Sequence, residues 1–106
     1  MSNTGNWTIG YRDKRHKSDI EATYRSDTQL ESRWKDFERD VTQSPYYHPK
    51  PGRIRKLRDT SFPEGTWRYS KNPIRVVYYP EKSRKIIYPL EVATATDVSY
   101  KKRSFR

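Results

Sequence analysis

The sequence predicts an α+β fold, with two helices covering one face of an antiparallel sheet. Three observations carry that reading. Leu30, Trp34, Phe37 and Val41 recur at i, i+4, i+7 and i+11, the spacing of one helical face. Strand-type residues dominate after residue 65, as in the run Ile74-Arg75-Val76-Val77-Tyr78-Tyr79. Helices grouped ahead of strands pack together on one side of the sheet. The other side is then left to carry Arg68, Ser70 and Arg75.

The elements follow in order. Residues 6–11 alternate as a short first strand, with Trp7, Ile9 and Tyr11 on one face. Ser18-Asp19-Ile20-Glu21 has the form of a capping box, which starts a first helix at Ser18 and gives it the stripe Ile20 and Tyr24. Thr28-Gln29-Leu30-Glu31 is a second box of the same form, which favours two helices over one bent helix. Ser44-Pro45 ends the second helix. Residues 45–65 hold Pro45, Pro49, Pro51, Gly52, Pro63 and Gly65 and are expected as a loop. Within it Arg53, Arg55, Lys56 and Arg58 surround Ile54 and Leu57, which pin the basic loop to the body. Strands at 66–71, 74–79 and 85–92, joined by turns at Asn72-Pro73 and 80–83, make a three-stranded meander. Pro89 donates no ladder bond and implies an edge, a bulge or a bend.

Composition bounds the function. The 106 residues fit one small domain spanning 1–106, and with 31% hydrophobic against 34% charged residues its core is thin. Nine Tyr and three Trp must supply much of the buried area. The absence of Cys excludes disulfides, thiolate metal sites and a Cys nucleophile. No apolar run reaches the ~18 residues of a membrane span, and Met1-Ser2-Asn3-Thr4-Gly5 has no signal-peptide character, so the expected location is cytoplasmic. Residues 1–47 carry eight basic and eight acidic residues, whereas 48–106 carry fifteen and five. The net charge of +10 therefore sits in the second half, which points to a polyanionic partner. His16 and His48 stand far apart in the chain, acidic residues are scattered, and no glycine-rich phosphate loop occurs. No metal and no cofactor are expected. The stripe of Leu30, Trp34, Phe37 and Val41 reads as core, not as a cofactor pocket.

Several of these features occur together in one family. The runs His48-Pro49, Arg53-Ile54-Arg55-Lys56-Leu57-Arg58, Gly65-Thr66-Trp67-Arg68-Tyr69 and Ile74-Arg75-Val76-Val77-Tyr78-Tyr79, in that order, resemble the RelE/ParE superfamily of toxin–antitoxin toxins. The resemblance covers residues 45–100 and agrees in element order over the rest. It implies a toxin silenced by a cognate antitoxin, with operator DNA reached only through that antitoxin. In the RelE-like branch it implies an mRNA interferase, a ribosome-dependent endoribonuclease that inhibits translation. Cleavage there is metal-free, the 2′-hydroxyl attacking the adjacent phosphorus while cations stabilise the developing charge. By position, Arg68 and Arg75 are then the phosphate and transition-state clamps, and Tyr100 stacks on a base or relays a proton. Arg53, Arg55, Lys56, Arg58, Lys71 and Lys101 are the expected RNA contacts, ahead of a basic tail at 101–106.

The sequence departs from the family at two places. Ser70 stands where RelE has a second basic residue, and residues 92–97 lack the usual His-Arg or Lys-Arg pair. Losing one preorganised cation costs about 2.7–4 kcal/mol at such a site. Two further readings follow: a ParE-like inhibitor that binds DNA gyrase without catalysis, and a degenerate toxin that keeps antitoxin and RNA binding. Plainer roles also stand: Arg68 and Arg75 in ion pairs with Glu91 or Asp97, Tyr100 in packing, and the basic loop receiving an acidic antitoxin segment.

Overall fold

The structure, a computed structural model, describes residues 7–58 and 61–94. Tyr100, Lys101, the tail at 101–106 and positions 95–97 lie outside the described residues. The elements are β1 (Thr8–Ile9), α1 (Lys14–Arg25), α2 (Thr28–Gln43), β2 (Ile54–Lys56), β3 (Trp67–Lys71), β4 (Ile74–Glu81) and β5 (Ile86–Thr94).

Both helices begin on an aspartate rather than on the hydroxyl residue the capping boxes suggest. Asp13 accepts from the His16 backbone N–H at 2.8 Å, so α1 starts well before Ser18, which lies inside the helix. Asp27 accepts from Gln29 N at 2.7 Å and Leu30 N at 3.2 Å, leaving Thr28 as the first helical residue. A carboxylate satisfies the free N–H groups and also complements the positive end of the helix dipole. The longer α1 has a consequence for the site, because it includes His16.

The stripe on α2 forms the core as the spacing predicts. Leu30, Trp34, Phe37 and Val41 are all buried, with Phe37 and Val41 fully so. Phe37 packs edge-on to Tyr69 and Tyr78, with ring centres 5.4 and 5.6 Å away, and lies 4.8 Å from Trp34. Tyr24 of α1 stacks on the other side of Trp34 at 4.5 Å, which joins the two helices. Buried tyrosines need a partner for the hydroxyl. Tyr69 donates to Asp40 at 2.7 Å, and Tyr78 donates to the Pro45 carbonyl at 2.5 Å. Tyr46 extends the aromatic layer by packing against Trp7 and Trp67.

The sheet has five strands, in the order β1-β5-β4-β3-β2, where the sequence suggested a three-stranded meander after a lone first strand. β1 runs parallel to β5, and the other neighbours are antiparallel. The added strand is β2, taken from the basic loop: Ile54 pairs with Tyr69, Arg55 with Arg68 and Lys56 with Trp67. Its pattern is nearly invisible in sequence because Ile54 packs on the core beside two cations, Arg55 and Lys56. The outer edge of β3 would otherwise expose unpaired backbone groups. Pairing with 53–57 removes that liability and adds the bonds Ser70 N to Arg53 O (2.8 Å) and Leu57 N to Thr66 O (2.9 Å).

β4 continues through Pro80, beyond the expected turn, and Pro80 is tolerated because β3 begins only opposite Tyr78. Pro89 marks a bulge, one of the three outcomes its position allowed. Pairing passes from Tyr78–Pro89 to Val77–Glu91, which leaves Leu90 as the extra residue. The register fixes the two sheet faces. Trp67, Tyr69, Ile74, Val76, Tyr78, Ile87 and Val92 face the helices; Arg55, Arg68, Arg75, Val77, Tyr79, Tyr88 and Glu91 lie on the opposite face.

Replacing Phe37 by Ala should destabilise the fold by about 3–5 kcal/mol in urea titrations. Tyr47→Ala, at a position 67% exposed, should change stability by less than about 0.5 kcal/mol.

Candidate functional site

The sheet face opposite the two described helices carries a short arginine row. Arg55 stands directly across from Arg68 on neighbouring strands. Arg68 pairs with Val77, and Arg75 is two residues back along the same strand, a diagonal neighbour on the same face. Like charges placed across a strand pair are destabilising, so the row is held in place by the backbone ladder and by Ile54 packing on the core. Guanidinium groups remain charged at any physiological pH, and each can hold an oxyanion with two parallel bonds. Glu91 lies beyond Val77 in the same cross-strand line, and Arg68, Arg75 and Glu91 all have partners. The ion-pair role suggested for Glu91 is therefore compatible with this register.

A cavity of about 530 Å³ opens at the end of this face toward Tyr79. Its floor comes from Tyr79, Tyr88, Pro89 and Leu90; Pro63 and Glu64 form one wall, and Tyr11, Arg12 and His16 form another. Three local features shape it. Gly65 adopts φ +92°, and a side chain there would start 3.2 Å from the Tyr79 ring, so only glycine lets the 61–65 loop lie this close. The bulge at Leu90 interrupts the face. The early start of α1 brings His16 to the outer edge of β5 just past the two residues that β1 covers. There His16 Nε2 donates to the Pro89 carbonyl at 2.8 Å. The proton on Nε2 leaves Nδ1 as the acceptor of the neutral ring, 3.4 Å from an Arg12 nitrogen. Burial, reinforced by Tyr24, Glu38 and Glu21, pushes the Tyr11 hydroxyl well above its ordinary value, so it persists as an O–H donor. Arg84 donates to the Tyr88 hydroxyl at 3.0 Å and steadies that wall.

Other cations expected at the site lie elsewhere. Lys71 is on the helix side, where its ammonium meets Asp36 at 2.9 Å. Asp36 also faces Arg33 at 3.4 Å and Arg39 at 3.2 Å. The Lys71 hydrogen bond is the main reason its carboxyl titrates below the usual range; burial opposes this, and the Lys71, Arg39 and Arg33 charges assist it. Arg53 lies over the Tyr69 ring at 6.0 Å, again on the helix side. Lys56 and Arg58 are exposed along the β2 edge. The structure thus brings Arg55, Arg68 and Arg75 together and places Lys71 and Arg53 across the sheet from them.

The two histidines are not neighbours. His48 Nε2 is 3.4 Å from Asp40, and its Nδ1 accepts from Lys50 N at 3.0 Å. Together with the Tyr69–Asp40 bond, this fastens the 45–53 loop to α2. Among the described residues, no cluster of three or more His, Asp and Glu has the arrangement of a metal site. No described helix is long and apolar enough to cross a membrane. Sequence reasoning missed the cavity residues Tyr11, Tyr79 and Tyr88, which looked like ordinary strand aromatics. The signals that could have found them were Gly65 and Pro89, two backbone irregularities on either side of the same sheet end.

No protein-family model matches this chain, and a search of curated proteins finds no match.

The Asp36–Lys71 pair sets a pH dependence. A carboxyl depressed in the folded state contributes stability above its unfolded value near ~4 and loses it as pH falls through the folded value. Asp36→Asn should cost about 1–2 kcal/mol at pH 7. Urea midpoints of variant and wild type should converge as the pH is lowered below about 4.

Proposed function

We propose that this chain is a toxin of the RelE/ParE kind that acts on RNA, most directly as a ribosome-dependent endoribonuclease. The observation that carries the reading is the arginine row, Arg55 opposite Arg68 with Arg75 diagonal to it, on the sheet face that neither described helix covers. Guanidinium groups side by side on one face can hold the oxygens of a phosphate with paired bonds. The β-α-α order ahead of the antiparallel strands also agrees with the resemblance. On this reading messenger RNA and the ribosome are the targets, a cognate antitoxin is the regulatory partner, and the site of action is the cytoplasm.

In the proposed reaction the 2′-oxygen attacks the neighbouring phosphorus and the 5′-oxygen leaves. One proton is removed from the nucleophile and one is delivered to the leaving group. Guanidinium groups do not exchange protons at neutral pH. Arg68 and Arg75 therefore hold the phosphate and stabilise the charge that builds on its oxygens, and Arg55 grips the neighbouring backbone. Proton transfer falls to another group, and Tyr100 is the candidate that the resemblance supplies.

A second reading rests on a specific feature. Residues 92–97 lack the basic pair that the family carries near the positions of Ala95 and Thr96, and the described end of β5 sets Ala93 across from Arg75. A chain that binds without cutting, by inhibiting DNA gyrase or by retaining only RNA and antitoxin binding, would show the same arginine row.

Primer extension on a defined messenger in a purified translation system separates these readings. Breaks are expected only with ribosomes present, and Arg75→Ala should reduce them at least about 10²-fold. Intact RNA with normal protein output would overturn the endonuclease, and a supercoiling assay would then test gyrase. Independently, Arg55→Ala should lower the salt slope of single-stranded RNA binding by about 0.7 log unit.

A further inference from the structure

The cavity beside the arginine row has the chemistry of a base-reading pocket. We infer that it receives one unstacked base of the RNA strand, and that guanine is the preferred base because Glu64 faces its two adjacent donors. The inference rests on the RNA reading proposed above. It goes beyond phosphate binding by assigning sequence preference to residues outside the arginine row.

Position is the first argument. Tyr79 follows Val77 by two residues on the same strand face, and Val77 is the partner of Arg68. Two residues of strand span roughly 6–7 Å. A backbone phosphate on Arg68 therefore leaves its base within reach of the cavity, while Arg75 takes up the strand on the other side. The walls are the second argument. Tyr11, Tyr79, Tyr88 and the exposed Pro63 provide flat apolar surfaces, and aromatic stacking holds single-stranded bases with little regard to sequence. About 530 Å³ lies within the range typical of small-ligand sites.

The polar groups supply the choice of base. Glu64 is exposed at the wall, and among the described residues no ion pair or hydrogen bond engages it. An ionised carboxylate only accepts hydrogen bonds. Guanine presents two adjacent donors, N1–H and the 2-amino group, and beside them the O6 acceptor. Adenine, cytosine and uracil each place an acceptor where the carboxylate would need a second donor. The Tyr11 hydroxyl and the Arg12 guanidinium, which also meets Asp13 and His16, are donors in the same lining, suited to O6. His16 is committed to the Pro89 carbonyl and sets the position of its part of the lining.

The test uses fluorescent RNA pentamers, UUGUU, UUIUU, UUAUU and UUUUU, with 2′-O-methyl sugars so that cleavage cannot intervene. Inosine lacks the 2-amino group and keeps everything else. Anisotropy titrations at low salt should give UUGUU at least about tenfold tighter binding than the other three. Glu64→Gln, at an exposed position, should keep the UUUUU affinity and abolish the guanine preference. Equal binding of all four pentamers, preference for another base, or guanine preference that survives Glu64→Gln would each overturn the pocket while leaving the RNA reading in place. No binding of any pentamer at low salt would overturn both.

Discussion

The packing of Phe37 between Trp34, Tyr69 and Tyr78 is the contact on which the rest of this structure depends. With 31% hydrophobic residues, the chain has enough apolar surface to seal one side of a sheet and little more. Aromatic residues make that possible, since each buries a large area. Their hydroxyls then dictate polar structure around the core. Tyr69 draws in Asp40 and with it His48, and Tyr78 captures the Pro45 carbonyl, so the proline-rich segment is tied down where the core needs partners. Folding the loop back in this way also delivers Ile54–Lys56 to the edge of β3.

Once both helices are committed to one side, the opposite side is free to bear groups a core would reject. Arg55 and Arg68 face each other there at a cost that backbone pairing and the buried side of the same strands offset. Cations that would weaken this focus are neutralised elsewhere: Lys71 by Asp36, and Arg39 by Asp36 and Asp40. The acidic residues of the first half thus serve the helix side. On the open face and the β2 edge stand Arg55, Arg68, Arg75, Lys56 and Arg58 of the second half's basic residues.

The two irregular points of the sheet, the bulge at Leu90 and the glycine turn at Gly65, lie at the same end. They turn a flat face into a recess lined by tyrosines and Pro63. On the proposed reading, the arginines beside this recess supply the two components of single-stranded nucleic acid recognition, charge for the backbone and a surface for stacking. An acceptor-only group on the rim adds the means to discriminate among bases. The division of labour is physical: charge attracts any strand, whereas shape and hydrogen bonding select within it.

Much of the fold was legible in the sequence because it follows from short-range periodicity. The i, i+4, i+7, i+11 stripe determined α2 and its buried side. Alternation in 67–71 put Arg68 and Ser70 opposite Tyr69, and Pro89 announced a disruption that proved to be a bulge. Other features were decided only by the tertiary structure. Asp13, five residues before Ser18, and Asp27, one residue before Thr28, take the N-cap positions instead, each accepting from backbone N–H groups of the first turn. β2 exists because β3 has an edge to be satisfied, a requirement that no property of Arg53–Arg58 reveals. The alternation of 67–71 already sets Lys71 on the face opposite Arg68, and only the tertiary structure brings Asp36 to it there. The sequence by itself determined which residues could be core and which strand faces are polar, because side-chain periodicity is a local property. The cavity joins Tyr11, Glu64, Tyr79 and Tyr88 from distant parts of the chain, so only the assembled sheet and its bulge could place them together.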